Sequence, residues 1–179
     1  MKKIIALILS LIILVGCDML DTNNTPTKKV EEYLNKFQIN AEEVLKDLDN
    51  VLVRLKTNEE NKEEYRELIK KQYKDMQYSI KEEYIDGNKA TVTAEIIVKD
   101  FTKIINEAEN YKKENITEFY EEDIYNDNLY KKYLLDKLKD AKDKITYTLE
   151  FNLHKNNSKW ELDQVNNEIE DKILGIYKD

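Results

Sequence analysis

The sequence is poor in the residues that build small reactive centres. Its 179 residues include one cysteine, one histidine and three glycines. The single cysteine, Cys17, excludes an intramolecular disulfide, and His154 has no second histidine or cysteine beside it to complete a zinc site. Gly87 and Gly175 are too far apart for a glycine-rich phosphate loop. The sequence therefore predicts no metal, no cofactor and no nucleotide site of that type.

Clusters of positive charge are also missing. Lys and Arg number 29 against 37 Asp and Glu, which gives a formal net charge of −8. Every basic stretch is interleaved with acids. Nucleic acids and anionic lipid surfaces are bound mainly through clustered positive charge, so neither is expected to bind the folded domain directly.

The first seventeen residues have the pattern of an export signal. Two lysines precede an uncharged run over residues 4–15. That run is shorter than the ~20 apolar residues that span a bilayer, which favours a signal peptide over a membrane helix. It leads into the four residues LVGC, ending at Cys17, which resemble the lipobox of bacterial lipoproteins. The resemblance implies cleavage after residue 16 and a lipid on the thiol of Cys17.

The sequence then divides into three parts. Residues 1–16 are the predicted signal peptide, residues 17–26 a lipidated cysteine with a polar tether, and residues 27–179 one extracytoplasmic domain. Two acyl chains hold a protein on a membrane durably, because each buried methylene contributes ~0.8 kcal/mol. We therefore expect a membrane partner through the lipid, and localisation at the cell membrane on its extracytoplasmic face.

Helical periodicity marks the N-terminal half of this domain. Apolar residues recur at spacings of three and four over residues 30–55 and again over residues 61–74. Asn40 followed by Glu43 resembles a capping box, which predicts a bend near residues 38–40. A short helix is also expected near the C-terminus.

The period then changes to two. Tyr78, Ile80 and Tyr84 alternate with polar residues, a turn follows at residues 86–88, and residues 91–98 alternate again, which predicts a hairpin. Residues 145–153 lead through a predicted loop at residues 154–158 to Trp160, which is expected to be buried. These patterns predict an α+β fold, with N-terminal helices packed on a curved antiparallel sheet of about four strands, a cone-like roll.

The alternation also assigns the faces of the long strands. The opposite faces carry threonines with Glu95 and Glu150, and these are predicted to face solvent. If the faces are reversed, Glu95 and Glu150 become an inward acid pair. The residues predicted to point inward are Val92, Ala94, Ile96, Val98, Ile145, Tyr147, Leu149, Phe151 and Leu153.

Two motifs within these strands carry a resemblance. Residues 85–92 fit the pattern I-x-G-x-x-A-x-V, and residues 159–162 fit K-W-x-[LI]. With the preceding helices they resemble small lipoproteins of the nuclear transport factor 2-like superfamily, over about residues 27–177. The resemblance implies helices folded against the concave side of a bent sheet. That superfamily includes both cavity enzymes and non-catalytic binding domains, so the fold alone does not choose between them.

The segment between the hairpins is rich in tyrosines and acids. Residues 116–133 have a weak apolar period, which predicts a long connection exposing Tyr120, Tyr125 and Tyr130 as a binding surface. The alternative places these rings in the core. The acidic residues 118–127 lack the ligand spacing and turn glycine of a calcium loop, so we interpret them as a solvated charge run.

No catalytic constellation emerges from these patterns. The leading hypothesis is a non-enzymatic, lipid-anchored binding or interaction domain, whose partner is an envelope protein or a small ligand. The alternative is a small-ligand carrier or a cavity enzyme of the nuclear transport factor 2-like type. An inward-pointing carboxylate would favour the alternative.

Overall fold

A computed structural model describes residues 24–55 and 57–178. The predicted signal peptide, Cys17 and most of the predicted tether lie outside the described residues. The helices are α1 (Pro26–Gln38), α2 (Glu42–Arg54), α3 (Lys62–Asp75), α4 (Phe101–Glu114), α5 (Asp127–Lys139) and α6 (Asn167–Leu174), with a short 3-10 helix at Ile116–Phe119. The strands are β1 (Gln77–Asp86), β2 (Lys89–Lys99), β3 (Tyr120–Glu121), β4 (Ile124–Tyr125), β5 (Lys144–Asn156) and β6 (Lys159–Leu162).

The predicted α+β architecture is confirmed. The main sheet has the order β1-β2-β5-β6, with each strand antiparallel to its neighbours. Ala94 pairs with Leu149 and both are buried, as the alternation predicts for the inner face. Glu95 and Glu150 lie on the opposite face, opposite Thr148 and Thr93 respectively. The reversed arrangement, with these two acids inside, is therefore wrong.

Helix α1 begins with a set of polar contacts. The Thr25 side chain accepts a hydrogen bond from the backbone N–H of Lys28, and Pro26 occupies the first turn, where a missing N–H costs nothing. Asn24 reaches the β5–β6 hairpin: its side-chain amide donates to the carbonyl of Ser158, and its side-chain oxygen accepts from the N–H of Trp160, both at 2.9 Å. The end of the tether is thereby fixed to the sheet.

The predicted bend between the first two helices is present, but its cause differs. Asn40 does not cap α2, because Ala41 occupies that position without a side-chain cap, and the predicted capping box with Glu43 is wrong. Asn40 instead has a φ of 51°. The N–H of Ala41 donates back to the carbonyl of Lys36 at 2.8 Å. Asn40 thus ends α1 in the left-handed conformation that commonly closes helices.

A bulge in β1 changes which side chains face the core. The pairing of β1 with β2 shifts by one residue at Lys81. Because one extra residue reverses the faces beyond it, Tyr84 points away from the core and is 65% exposed, although it shares the alternation of Tyr78 and Ile80 in the sequence. Glu83 takes the position on the face of Val92, and its carboxylate accepts a hydrogen bond of 2.8 Å from the N–H of Thr27.

The β5–β6 hairpin is tighter than the sequence indicates. Strand β5 continues to Asn156, and the turn consists of Asn157 and Ser158, whose φ angles are 48° and 68°. His154 therefore lies within the strand and not in a loop. Its Nδ1 is 2.6 Å from Oδ1 of Asp163, which follows β6.

Helices α1, α3 and α6 pack against the strands and close the core. Trp160 is 5% exposed, as expected for the closing strand. The largest fully buried side chains are Tyr65, Phe101, Phe151, Leu34, Leu48, Leu52, Ile69, Met76, Ile96, Leu135, Leu138 and Leu149.

One buried amide joins three elements. Gln72 of α3 is 1% exposed, and its amide nitrogen donates to the carbonyls of Lys99 and Leu174, both at 3.0 Å. Its side-chain oxygen accepts from the N–H of Lys99 at 3.3 Å. Gly175, which ends α6, lies against the same groups. The end of β2 and the end of α6 are therefore held by one side chain.

Candidate functional site

A small surface hairpin carries two of the three tyrosines predicted to form a binding surface. We call residues 120–125 the aromatic hairpin. Its turn residues, Glu122 and Asp123, have φ angles of 49° and 65°, as in the tight turns favoured between antiparallel strands. The rings of Tyr120 and Tyr125 lie edge to face, with centroids 6.0 Å apart. The two rings are thus held together on one side of the hairpin.

The aromatic hairpin exposes an unusual amount of apolar surface. Ile124 is 71% exposed, Tyr120 43% and Tyr125 37%. Ile116, just before the hairpin, is 40% exposed. These four exposed apolar side chains lie within ten residues of each other in the sequence, and two of them, Tyr120 and Tyr125, are in contact.

Acidic side chains surround this apolar surface. Glu121 accepts a hydrogen bond from Asn126, and Asp127 pairs with Lys131 at 2.7 Å. Glu122 and Asp123, at the tip, have no ion pair with any cation of the described chain. The hairpin therefore presents uncompensated negative charge beside exposed rings.

A second, smaller core supports the hairpin. Phe119 is 3% exposed, and its carbonyl accepts a hydrogen bond of 2.7 Å from the N–H of Asn126. Its ring lies edge to face with Tyr130 of α5 and packs with Ala108 of α4. Both ends of the hairpin are thus attached to packed helices, which limits its freedom to move.

Tyr130 does not belong to the exposed surface. It is 8% exposed, so the prediction that it lies on an exposed connection is wrong. Helix α5 begins at Asp127 and turns Tyr130 towards α4, where the amino group of Lys112 lies 4.0 Å from the ring centroid. Burial, with nearby acids, raises the pKa of the Tyr130 phenol to about 12. The four-residue spacing of Tyr130, Leu134 and Leu138 was the sequence signal for this buried face.

Sequence reasoning missed a cleft on the helical side of the molecule. We call it the helical cleft: it has a volume of about 270 Å³ between helices α1, α2, α3 and α6. Aromatic rings form its floor, with centroids 5.1 Å apart for Phe37 and Tyr73 and 5.4 Å for Tyr33 and Phe37. It is lined by Tyr33, Lys36, Phe37, Glu43, Val44, Asp47, Val51, Arg54, Tyr73 and Glu170. Because these lining residues come from four separate helices, no local sequence motif predicts the cleft.

The helical cleft is lined by more acidic than basic side chains: Glu43, Asp47 and Glu170 against Lys36 and Arg54. The guanidinium of Arg54 lies 3.4 Å from Glu170 and 3.1 Å from Asp171. Burial raises the pKa of Glu170; Arg54 opposes the shift, while Asp47 and Asp171 add to it. Burial also raises the pKa of Asp171, again opposed by Arg54. One cation thus serves two partly buried carboxylates.

Residues 24–55 and 57–178 contain neither a candidate metal site nor a candidate membrane-spanning helix. No three His, Cys, Asp or Glu side chains come together in a way that would hold a metal ion. No helix in these ranges is both long enough and apolar enough to cross a membrane.

The chain is similar to a protein of known structure. No protein-family model matches the chain, and no curated protein does. The chain is similar to the crystal structure of a candidate lipoprotein, ycdA, from Bacillus subtilis subsp. subtilis str. 168, with a TM-score of 0.43 and 17% identity. The match covers 83% of this chain and 47% of that one, so this chain spans about half the length of the protein it matches.

Proposed function

We propose that this chain is a lipid-anchored, extracytoplasmic interaction domain without catalytic activity, and that the aromatic hairpin contacts its partner. The observation that carries the proposal is the exposure of Tyr120, Ile124 and Tyr125 on a hairpin fixed at both ends. Tyrosines suit such a role because each ring supplies apolar area and a hydroxyl at little cost in conformational entropy.

The chemistry of the hairpin also defines its partner. The apolar centre would be buried against an apolar patch, and the unpaired Glu122 and Asp123 would lie at the rim of the contact. A rim of opposite charge speeds association and selects among partners. The partner is therefore an envelope protein with an apolar patch bordered by Lys or Arg.

Anchoring rests on the lipobox at Cys17. Only that thiol can accept the lipid, because the chain has one cysteine. Cys17→Ser should abolish labelling by a fatty-acid analogue and leave the signal peptide uncleaved by the lipoprotein peptidase. Metabolic labelling followed by electrophoresis measures both effects. Labelling equal to that of the unchanged protein would contradict the anchor.

The contact surface is tested by a double change, Tyr120→Ser with Tyr125→Ser. Loss of two interface tyrosines should weaken capture of the partner by about tenfold or more. The soluble domain, starting at Asp18, is cross-linked in envelope extract and the captured protein is quantified by mass spectrometry. Both rings are partly exposed, so the thermal melt should change little.

Tyr84→Ser is the matched control for this experiment. Tyr84 is also exposed, but it lies on the outer face of β1, away from the aromatic hairpin in the sequence and on a different element. The Tyr84→Ser variant should capture the partner as efficiently as the unchanged protein. Equal capture by the double variant and the control would refute the hairpin as the contact surface.

A small-ligand carrier is the second candidate, and the helical cleft favours it. A cavity enzyme of the nuclear transport factor 2-like type is less well supported, since the carboxylates of Glu95 and Glu150 lie on the outer face of the sheet. Helices packed on an open antiparallel sheet agree with that superfamily, and membership in it is part of this proposal.

A further inference from the structure

The floor of the helical cleft contains phenol groups without partners. Tyr73 is 4% exposed, and Tyr33 is half-buried. Neither hydroxyl forms a hydrogen bond with another side chain or backbone group of the described residues, although both line the cleft. Both hydroxyl oxygens are accessible from the cleft, where water or a ligand can form their hydrogen bonds.

Glu170 lines the same cleft as both phenols. Burial raises the pKa of both phenols, and the charge of Glu170 adds to the shift. At Tyr73 the nearby Arg54 opposes it. The two hydroxyls therefore stay protonated at neutral pH, and each oxygen is available as a hydrogen-bond acceptor. Three side chains that carry oxygen acceptors, Tyr33, Tyr73 and Glu170, therefore line the same cleft.

The charges around the cleft leave it acidic. Lys36 is paired with Glu43 at 2.7 Å, and Arg54 is shared between Glu170 and Asp171. Asp47 accepts a hydrogen bond from Asn50 but has no ion pair among the described side chains. Both cations are already neutralised, so an anionic ligand would find no free partner. A cation would relieve the excess of carboxylates and could also lie against the faces of the rings.

We propose that the helical cleft binds a small organic cation with an apolar body, whose charged group is held by Glu170 and the phenolic oxygens of Tyr33 and Tyr73. The volume of about 270 Å³ lies near the lower end of the range for ligand pockets, which suits a small molecule. This assignment rests on the second function proposed above, ligand carriage, and does not depend on the aromatic hairpin.

Three probes of similar shape and different charge distinguish the contribution of charge to affinity from the contribution of apolar burial. The full-length protein in a non-ionic detergent is titrated at pH 7 with 2-phenylethylamine, 2-phenylethanol and phenylacetate, and binding is followed by saturation-transfer NMR. The amine should bind about tenfold or more tightly than the alcohol, because a charge-assisted hydrogen bond is lost with the alcohol, and phenylacetate should not bind. Equal binding of amine and alcohol, or no binding of the amine, would overturn the proposal.

Variants of the cleft residues test whether the amine binds in the helical cleft. Glu170→Gln should reduce affinity for the amine about tenfold and leave affinity for the alcohol unchanged, and Tyr73→Phe should have a smaller effect in the same direction. Glu168→Gln, on the same helix and outside the cleft, is the control and should bind as the unchanged protein does. If Glu170→Gln also binds the amine as before, the site is wrong. The Tyr120→Ser, Tyr125→Ser variant should bind the amine normally, so failure of the hairpin proposal is distinguished from failure of this one.

Discussion

Trp160→Ala should lower the free energy of unfolding by about 3–5 kcal/mol. The indole is 5% exposed on β6, which is an edge strand of only four residues and packs against α1. Its truncation would leave a cavity where the sheet and the first helix meet. Lys155, whose amino group lies 4.9 Å from the ring centroid, would also lose its contact. Denaturant unfolding, followed by circular dichroism, measures the effect.

Trp160→Phe is the control for this prediction. It keeps an aromatic ring in the site and should lower the free energy of unfolding clearly less than the alanine substitution does. The backbone N–H of Trp160, which donates to Asn24, is unchanged in both variants. An alanine variant as stable as the phenylalanine variant would mean that the indole contributes little to the core.

Gly175→Ala should lower the free energy of unfolding by about 2–4 kcal/mol, because it adds a steric clash to the cost of a left-handed residue. The φ of Gly175 is 79°. A Cβ there would approach the carbonyl oxygen of Lys99 to 2.3 Å and the amide nitrogen of Gln72 to 2.8 Å. The backbone carbonyl cannot move freely, so the hydrogen bonds of Gln72 would be disturbed. Thermal and denaturant unfolding measure the loss.

Gly87→Ala separates the two contributions. Gly87 also has a positive φ, 59°, but a Cβ there would meet no atom within 4 Å. Its substitution should cost only the conformational penalty of about 1–2 kcal/mol. Equal losses at Gly87 and Gly175 would show that the contact with Gln72 and Lys99 has no energetic weight.

Features set by local pattern could be predicted from the sequence. The inner faces of β2 and β5 follow from strict alternation, and Trp160 is buried on the strand where its motif placed it. Tyr84 could not be assigned, because the bulge at Lys81 depends on pairing with β2 and has no local signature. An error of one residue in the register of a strand places every later side chain of that strand on the wrong face of the sheet.

The candidate sites were predictable only in part. Tyr120 and Tyr125 are exposed as expected, whereas Tyr130 is buried because α5 begins earlier than its weak apolar period indicated. The helical cleft could not be foreseen, since Tyr33, Tyr73 and Glu170 are brought together only by the packing of three helices. The role of these residues as a binding surface or a ligand site remains a prediction in both cases.

The attachment of Asn24 to the β5–β6 hairpin limits the length of chain between the folded domain and Cys17. Only six residues separate Cys17 from Asn24, and a fully extended chain of that length spans at most about 25 Å. If Cys17 carries the proposed lipid, a domain tied this closely would stay in a thin layer next to the bilayer. For a partner held in the same membrane, such confinement gives a high effective concentration, so that a contact too weak to survive in solution becomes occupied at the surface.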